Sequence, residues 1–415
     1  MGLGEVSSGE RVHIGFFGMR NAGKSSLVNK ITGQSLSVVS DVKGTTTDPV
    51  KKAMELLPLG PVVIIDTPGL DDEGDLGKLR IEKARQILGR TDIAVLVVDA
   101  SCGMGKLDED LLQVLKERKT PYILVYNKSD LITGDMGFNQ AEDTMYVSTV
   151  TGAGIEQLKE KLGSFASVSK REKVLVSDLI EGGDIVVLVT PIDESAPKGR
   201  LILPQQLTIR DILDKHGIVV TCQDTEISQT LSCLSKKPKM VITDSQVFGK
   251  VSKEVPTDVP LTSFSILMAR YKGDLKELVK GAVALEHLHE GDKILISEGC
   301  THRRQCNDIG TVKMPRWIEN FTGIKREEAS ADLQQKEVGL QISFTSGGEF
   351  PDVPDKYALI VHCGACMLNE KEVRSRIRRS QEAGTPITNY GIAIAQMHGI
   401  LKRSLSPFPE LAEEL

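Results

Sequence analysis

Short runs of apolar, mostly branched residues recur between positions 11 and 165, at 12–17, 62–65, 93–98, 122–126 and 145–147, with stretches of helical periodicity between them. Runs that are apolar at nearly every position predict strands covered on both faces, as in a parallel sheet flanked by helices. The alternation predicts an α/β domain with a doubly wound sheet over residues 1–168. Small and polar residues at 164–173 read as a linker. The rhythm then restarts with a strand at 185–189, a helix at 207–215 and strands at 218–221 and 240–243, predicting a smaller α/β domain over 172–265. A further α/β domain, 266–415, follows with a helix at 275–287 and strands at 293–297 and 357–361, each leading into a cysteine group.

Composition narrows the function classes. Lys and Arg number 51 against 57 Asp and Glu, a net charge of −6, so no global basic field draws nucleic acid or an anionic membrane. No run approaches the ~18 apolar residues a membrane span needs. The first twelve residues carry Glu5 and Glu10 and no apolar core, so they do not read as a signal peptide, and the expected location is cytoplasmic. Seven cysteines are too few for a disulfide scaffold, and the C-x-x-C pair Cys363 and Cys366 points to metal or redox chemistry in a reducing compartment. Cys102, Cys222 and Cys233 have no partner spacing and read as buried small hydrophobes.

Chemistry enters with Gly18-Met19-Arg20-Asn21-Ala22-Gly23-Lys24-Ser25, which satisfies G-x-x-x-x-G-K-S between a predicted strand and a helix. Such a loop turns backbone N–H groups onto phosphate oxygens, and the helix behind it adds its positive end. Asn21, Ala22, Gly23, Lys24, Ser25 and Ser26 are the candidate phosphate-binding positions, with the Lys24 ammonium for the β and γ oxygens and the Ser25 hydroxyl for Mg2+. Asp66-Thr67-Pro68-Gly69 ends an apolar run, placing the Asp66 carboxylate beside the magnesium shell and the Gly69 amide near the γ-phosphate. In Gly44-Thr45-Thr46-Thr47-Asp48, Thr46 is the expected switch hydroxyl for Mg2+, so Lys24, Thr46, Asp66 and Gly69 are the candidate catalytic positions. Asn127-Lys128-Ser129-Asp130 ends another run. Asp130 can accept two N–H bonds from guanine, whereas adenine offers the wrong pattern. Ser148 and Thr149 fit the loop that closes over the base. The order and spacing predict a Ras-like P-loop GTPase, and the ATPase reading fails at Asp130. Leu70 stands where a water-positioning Gln would, followed by Asp71, Asp72 and Glu73, so hydrolysis is expected to need an added component.

Asn21 in the phosphate loop, together with the Gly44–Asp48 loop, resembles the TrmE-like (MnmE-like) GTPases. The resemblance implies K+ held near Asn21 at the place an arginine finger would fill, and hence K+-stimulated hydrolysis.

Near the C-terminus Cys300-Thr301-His302 and His362-Cys363-Gly364-Ala365-Cys366 each follow an apolar strand, at the carboxyl end where α/β folds place their sites. The residues alone leave three readings open: a 4Fe–4S cluster with one exchangeable iron, a Cys3His zinc site, and a redox dithiol or simply buried thiols. Cys306 reads as a core thiol or a fourth ligand. The Arg374–Arg379 stretch reads as the solvated face of an amphipathic helix rather than an RNA patch.

The combination of a TrmE-like GTPase, the 197–205 stretch Pro-Lys-Gly-Arg-Leu-Ile-Leu-Pro-Gln, the two cysteine groups and 385–391, Thr-Pro-Ile-Thr-Asn-Tyr-Gly, resembles HydF, the maturation GTPases of FeFe-hydrogenase, over nearly the whole chain. That resemblance implies a 4Fe–4S cluster on Cys300, Cys363 and Cys366, with His302 and His362 matching histidines whose part in ligation varies. It implies a homodimer formed through the middle domain, and a scaffold that takes a di-iron precursor from radical-SAM maturases and delivers it to apo-FeFe-hydrogenase, with no nucleic-acid or membrane partner. The histidine spacing is longer than the family's, so 325–347 reads as a loop insertion. The alternative is a tRNA-modification or ribosome-assembly GTPase with a zinc-stabilised C-terminal module.

Overall fold

A computed structural model describes residues 7–33, 50–67, 84, 86–132, 142–169, 174–192, 201–299, 308–327 and 339–414. The chain divides into two compact units, Met1–Glu172 and Lys173–Leu415. Among the described residues no helix is long and apolar enough to cross a membrane.

The first unit is built on β1 (Val12–Phe17), β2 (Val50–Leu56), β3 (Gly60–Asp66), β4 (Ile93–Asp99), β5 (Tyr122–Asn127) and β6 (Thr144–Tyr146), ordered β2-β3-β1-β4-β5-β6. Alternate residues of β4 feed opposite cores: Val95 and Val97 pack with Leu27, Ile31 and Leu158, while Leu96 and Val98 pack with Leu111 and Leu115. Both faces are therefore buried, which is why these strands read as unbroken apolar runs. The expected parallel sheet needs one correction. β2 is an antiparallel edge, running from Val50 opposite Asp66 to Leu56 opposite Gly60. Its Lys51 and Lys52 suit an edge that must not pair with another chain, and they hid it from a search for apolar runs.

The second unit contains two sheets that are parallel throughout. The first has β7 (Ile185–Val189), β8 (Ile218–Cys222), β9 (Met240–Thr243) and β10 (Leu261–Ser263) in the order β10-β9-β7-β8. The other has β11 (Lys293–Ser297), β12 (Gln341–Thr345), β13 (Leu359–His362) and β14 (Ile387–Asn389) in the order β12-β11-β13-β14. Helix Phe264–Lys272 follows β10 directly, with the Ser263 hydroxyl accepting from the Ile266 N–H at its start. Its Phe264, Leu267 and Met268 enter the core of the first of these sheets, and Ile266 and Ala269 enter that of the other. The expected cut at 265 thus falls at the head of a helix that both cores share. The stretch read as a loop insertion, 325–347, contains β12, whose Gln-Ile-Ser-Phe-Thr alternation is short but of strand period.

Nucleotide and cysteine sites

Every described residue of the nucleotide motifs lies at a carboxyl end of the first sheet. The phosphate loop leaves β1 and enters helix Lys24–Thr32 through Gly23 at φ 87°, after Asn21 at φ 62°. A side chain at Gly23 would meet the Asn127 amide at 2.2 Å, so only glycine lets the loop close there. Lys24 is buried, its ammonium donating to the Gly18 and Met19 carbonyls at 3.0 and 2.8 Å. The Ser25 hydroxyl donates to Asp66 Oδ2 at 2.7 Å, while Asp66 Oδ1 is buried with no hydrogen-bond partner among the described residues. A buried carboxylate oxygen left open next to the Ser25 hydroxyl suits a hard divalent cation such as Mg2+.

At the base side, Asn127 is fully buried, donates to the Ala22 carbonyl at 3.0 Å and accepts from the Thr149 N–H at 3.3 Å, tying the phosphate loop to the base loop. Asp130 is exposed, with one oxygen taking a hydrogen bond from the Ser148 hydroxyl. Lys128, at φ 64°, reaches Asp99 at 2.6 Å. Burial would push the Asp99 carboxyl up, but hydrogen bonds from Lys128 and Ser101 outweigh it and hold it below the usual carboxylate range. The structure brings together Asn21, Ala22, Gly23, Lys24, Ser25, Ser26, Asp66, Asn127, Lys128, Asp130, Ser148 and Thr149. Thr46 and Gly69 lie outside the described residues, as do Leu70, Asp71, Asp72 and Glu73.

The cysteine pair sits at the switch point of the last sheet. β11 and β13 are neighbours there, while the chain from β11 goes first to β12 on the other side. Ligands of open α/β sheets bind outside the carboxyl ends at such a point. Ser297 pairs in register with His362, and the Cys363 N–H donates to the Ser297 carbonyl at 3.0 Å. The Gly299 N–H donates to Cys363 Sγ at 3.0 Å, and the Ala365 N–H to the same sulfur at 3.4 Å. Ala365 turns the chain at φ 54°. Both cysteines are half-buried and neither forms a disulfide; burial pushes the Cys366 thiol up against the pull of the Lys272 ammonium. Cys300, His302 and Cys306 lie outside the described residues, and among the described residues no three His, Cys, Asp or Glu side chains gather as a metal site.

His362 is 4% exposed and spends both ring nitrogens inside the fold. Nδ1 is 2.8 Å from the Cys363 carbonyl and Nε2 is 3.0 Å from Arg376 Nη1. Burial first, then the adjacent guanidinium, drive its pKa down to about 3. Arg376 is 1% exposed and also holds Ser297 Oγ, the Gly347 carbonyl and Glu372.

Residues 13–128 match the family described as 50S ribosome-binding GTPase. Residues 175–273 match the hydrogen maturase F dimerization domain, and 276–407 the hydrogen maturase F tetramerization domain. The chain belongs to the hydrogen maturase F family. GTPase Der of Kosmotoga olearia is 31% identical to this maturase-family chain over 170 residues, 37% of this chain and 38% of that protein. The tRNA modification GTPase MnmE of Laribacter hongkongensis is 35% identical over 156 residues, 37% of this chain and 34% of the relative, and that of Carboxydothermus hydrogenoformans 39% over 124 residues, 30% and 26%. The chain therefore spans well under half the length of these curated relatives. Among solved structures, Aquifex aeolicus Era is 20% identical with a TM-score of 0.33, covering 51% of this chain and 92% of that one.

Two cations of this hydrogen maturase F chain escaped the sequence reading. Arg376 lies in the stretch taken as a solvated face, yet it is buried. Lys272, 1% exposed, donates to the Cys366 and Leu368 carbonyls at 3.2 and 2.9 Å. Spacing alone marked Arg376 as four residues past Glu372, the pair it makes at 2.6 Å. Two of the unpaired cysteines also differ from expectation: Cys222 is buried, but Cys102 and Cys233 are exposed.

Proposed function

We propose that this chain is a GTP-hydrolysing scaffold of FeFe-hydrogenase maturation. In this reading 1–168 binds GTP, 172–265 dimerises, and 266–415 holds a 4Fe–4S cluster and a di-iron precursor destined for the apo-hydrogenase. The observation that carries the cluster reading is the Gly299 N–H on Cys363 Sγ at 3.0 Å. Gly299 is the residue before Cys300, so covalent geometry keeps the two α-carbons about 3.8 Å apart. Chain connectivity therefore supports a reading in which Cys300 serves the same site as Cys363 and Cys366, although it precedes that pair by about sixty residues. N–H groups aimed at a sulfur suit a thiolate ligand. Cys300, Cys363 and Cys366 would hold the cluster, which supplies an iron without a firm protein ligand for the precursor to join.

In the nucleotide site, phosphate oxygens would take the Lys24 ammonium from the Gly18 and Met19 carbonyls. Ser25 and Asp66 Oδ1 would hold Mg2+, with the Thr46 hydroxyl completing the shell. Gly69 would meet the γ-phosphate, and hydrolysis would release the Thr45–Asp48 loop, changing what partners such as the radical-SAM maturases or the hydrogenase touch. Asn21 would hold K+ where an arginine finger, worth roughly 10³–10⁵ in rate, is otherwise supplied. His302 remains a candidate for the cluster's edge.

Anaerobic reconstitution with iron and sulfide tests the cluster, followed by metal analysis and EPR of the reduced protein. Equal iron and sulfide near four per chain supports it. One tightly bound zinc and no sulfide sinks it in favour of a structural metal site. GTP turnover in KCl against NaCl tests the cation: a rise of roughly 10-fold or more in K+ that Asn21→Ala abolishes is expected on the arginine-finger scale.

A further inference from the structure

His362 resembles a ligand in sequence, yet its surroundings give it other work. A guanidinium has donors only. With Arg376 Nη1 3.0 Å from Nε2, that nitrogen must be the acceptor, so the ring proton sits on Nδ1 and points at the Cys363 carbonyl 2.8 Å away. Ligation through Nε2 would require displacing a guanidinium anchored at 2.7 Å to the Gly347 carbonyl and at 2.6 Å to Glu372. Ligation through Nδ1 would strand a buried carbonyl.

The turn that carries the thiols is also strained. Ala365 sits at φ 54°, a left-handed conformation that strains an L-residue and lasts only where neighbours over-determine it. Its carbonyls are held from within: that of Cys363 by His362, and those of Cys366 and Leu368 by Lys272.

We propose that His362 is a positioning residue rather than an iron ligand: Arg376 locks its tautomer, and His362 and Lys272 together clamp the backbone of the Cys363–Leu368 turn before any iron arrives. The clamp rests on the cluster reading for its purpose, but its geometry belongs to the iron-free protein. It also gives helix Phe264–Lys272, shared by both cores, a hold on the cysteine turn.

The test uses the full-length protein labelled with 15N-histidine. In the iron-free state, the ring 15N shifts of His362 should report the Nδ1-protonated tautomer; the Nε2-protonated form would overturn the clamp whether or not iron ever binds. After reconstitution, pulsed EPR of the wild type and of His362→Asn, which keeps an N–H for the Cys363 carbonyl, should show the same nitrogen couplings. A histidine coupling present in the wild type and lost in H362N makes His362 a ligand and ends the proposal. His362→Ala should release iron to a chelator about 10- to 100-fold faster, the scale of outer-sphere changes at metal sites, with H362N within about threefold of wild type. Adding Ala365→Gly, which takes the left-handed turn without strain, should slow the H362A release again. A lost ligand would not be rescued that way. If the protein takes up no iron and sulfide at all, the cluster reading fails, and the tautomer measurement still decides the clamp.

Discussion

Asp130 offers its carboxylate to solvent at the end of β5, braced by the Ser148 hydroxyl, itself fully buried. That arrangement holds an acceptor pair for the two N–H groups of guanine and little else. Asp130→Asn replaces one acceptor by a donor. Two hydrogen bonds to a charged group, each about 1.5–3 kcal/mol, then translate into roughly 10²–10⁴ weaker GTP binding. Xanthosine triphosphate, with a carbonyl where guanine has its amine, should bind the variant better than GTP does. Calorimetry with both nucleotides checks this, and an unchanged GTP affinity would remove Asp130 from the base site. Residues such as Lys24, Asp66, Asn127 and Asp130 were legible in the sequence because phosphate and guanine chemistry fixes residue types at short, contiguous spacing. Arg376 and Lys272 were not, because whether a long cation is solvated or folded inward depends on what packs over it. For Arg376 that cover includes Phe350, whose ring lies 5.2 Å from the guanidinium carbon.

Elements bring these residues together through close approaches that single atoms can break. Helix Leu275–Val283 lies so near β14 that a Cβ on Gly281 would stand 2.0 Å from the Ile387 carbonyl oxygen. Gly281→Ala must therefore push the helix off the strand, and overpacking of this kind costs typically 1–3 kcal/mol. Urea unfolding should show a lower midpoint with an unchanged slope. Another tie joins the start of the second unit to helix Phe264–Lys272, where Arg270 binds both oxygens of Asp178 and the Leu175 carbonyl. The Arg270 hydrogen bond holds the Asp178 carboxyl below its ordinary 3.8, against the opposing effect of burial. A folded pKa below the unfolded one gives stability that is present above pH 3.8 and lost as pH falls through the depressed value. Asp178→Asn should flatten the acid limb of stability against pH while changing little near neutrality beyond the lost charge. The effect is small because the Asp178 side chain is 41% exposed. Acid-induced unfolding of wild type and D178N, compared between pH 5 and pH 2, measures it. At this scale the long buried strands were legible because burial on both faces leaves an unbroken apolar signature. β2, with its exposed lysines, and the three-residue β10 and β14 were not, since their place in a sheet comes from neighbours distant in sequence.

At the scale of the whole molecule, net charge bears on whether this hydrogen maturase F chain also meets RNA. The first unit is similar in sequence to tRNA modification GTPases, which makes RNA binding worth measuring. The net charge of −6 opposes it, and in the richest arginine stretch Arg376 is buried and Arg379 half-buried, while Arg374 and Arg378 are exposed. Arg374 pairs with Glu370 at 2.8 Å and Arg376 with Glu372 at 2.6 Å, while Arg379 reaches Asp352 at 3.1 Å and lies over the Phe350 ring. A surface that neutralises many phosphates shows an affinity falling steeply with salt, by about 0.7 logarithmic units per phosphate for a single strand. For a chain of net charge −6, binding to single- or double-stranded RNA should be weaker than the ~10⁻⁴ M end of ordinary non-specific binding at physiological salt, with a shallow salt slope. Filter binding across 50–200 mM KCl, with GTP and with GDP, measures both quantities. Micromolar RNA binding with a slope of six or more contacts would make RNA a partner of this chain and overturn the expectation. Weak, salt-insensitive binding alongside iron uptake would place the chain's chemistry at the sheet end where Cys363 and Cys366 emerge.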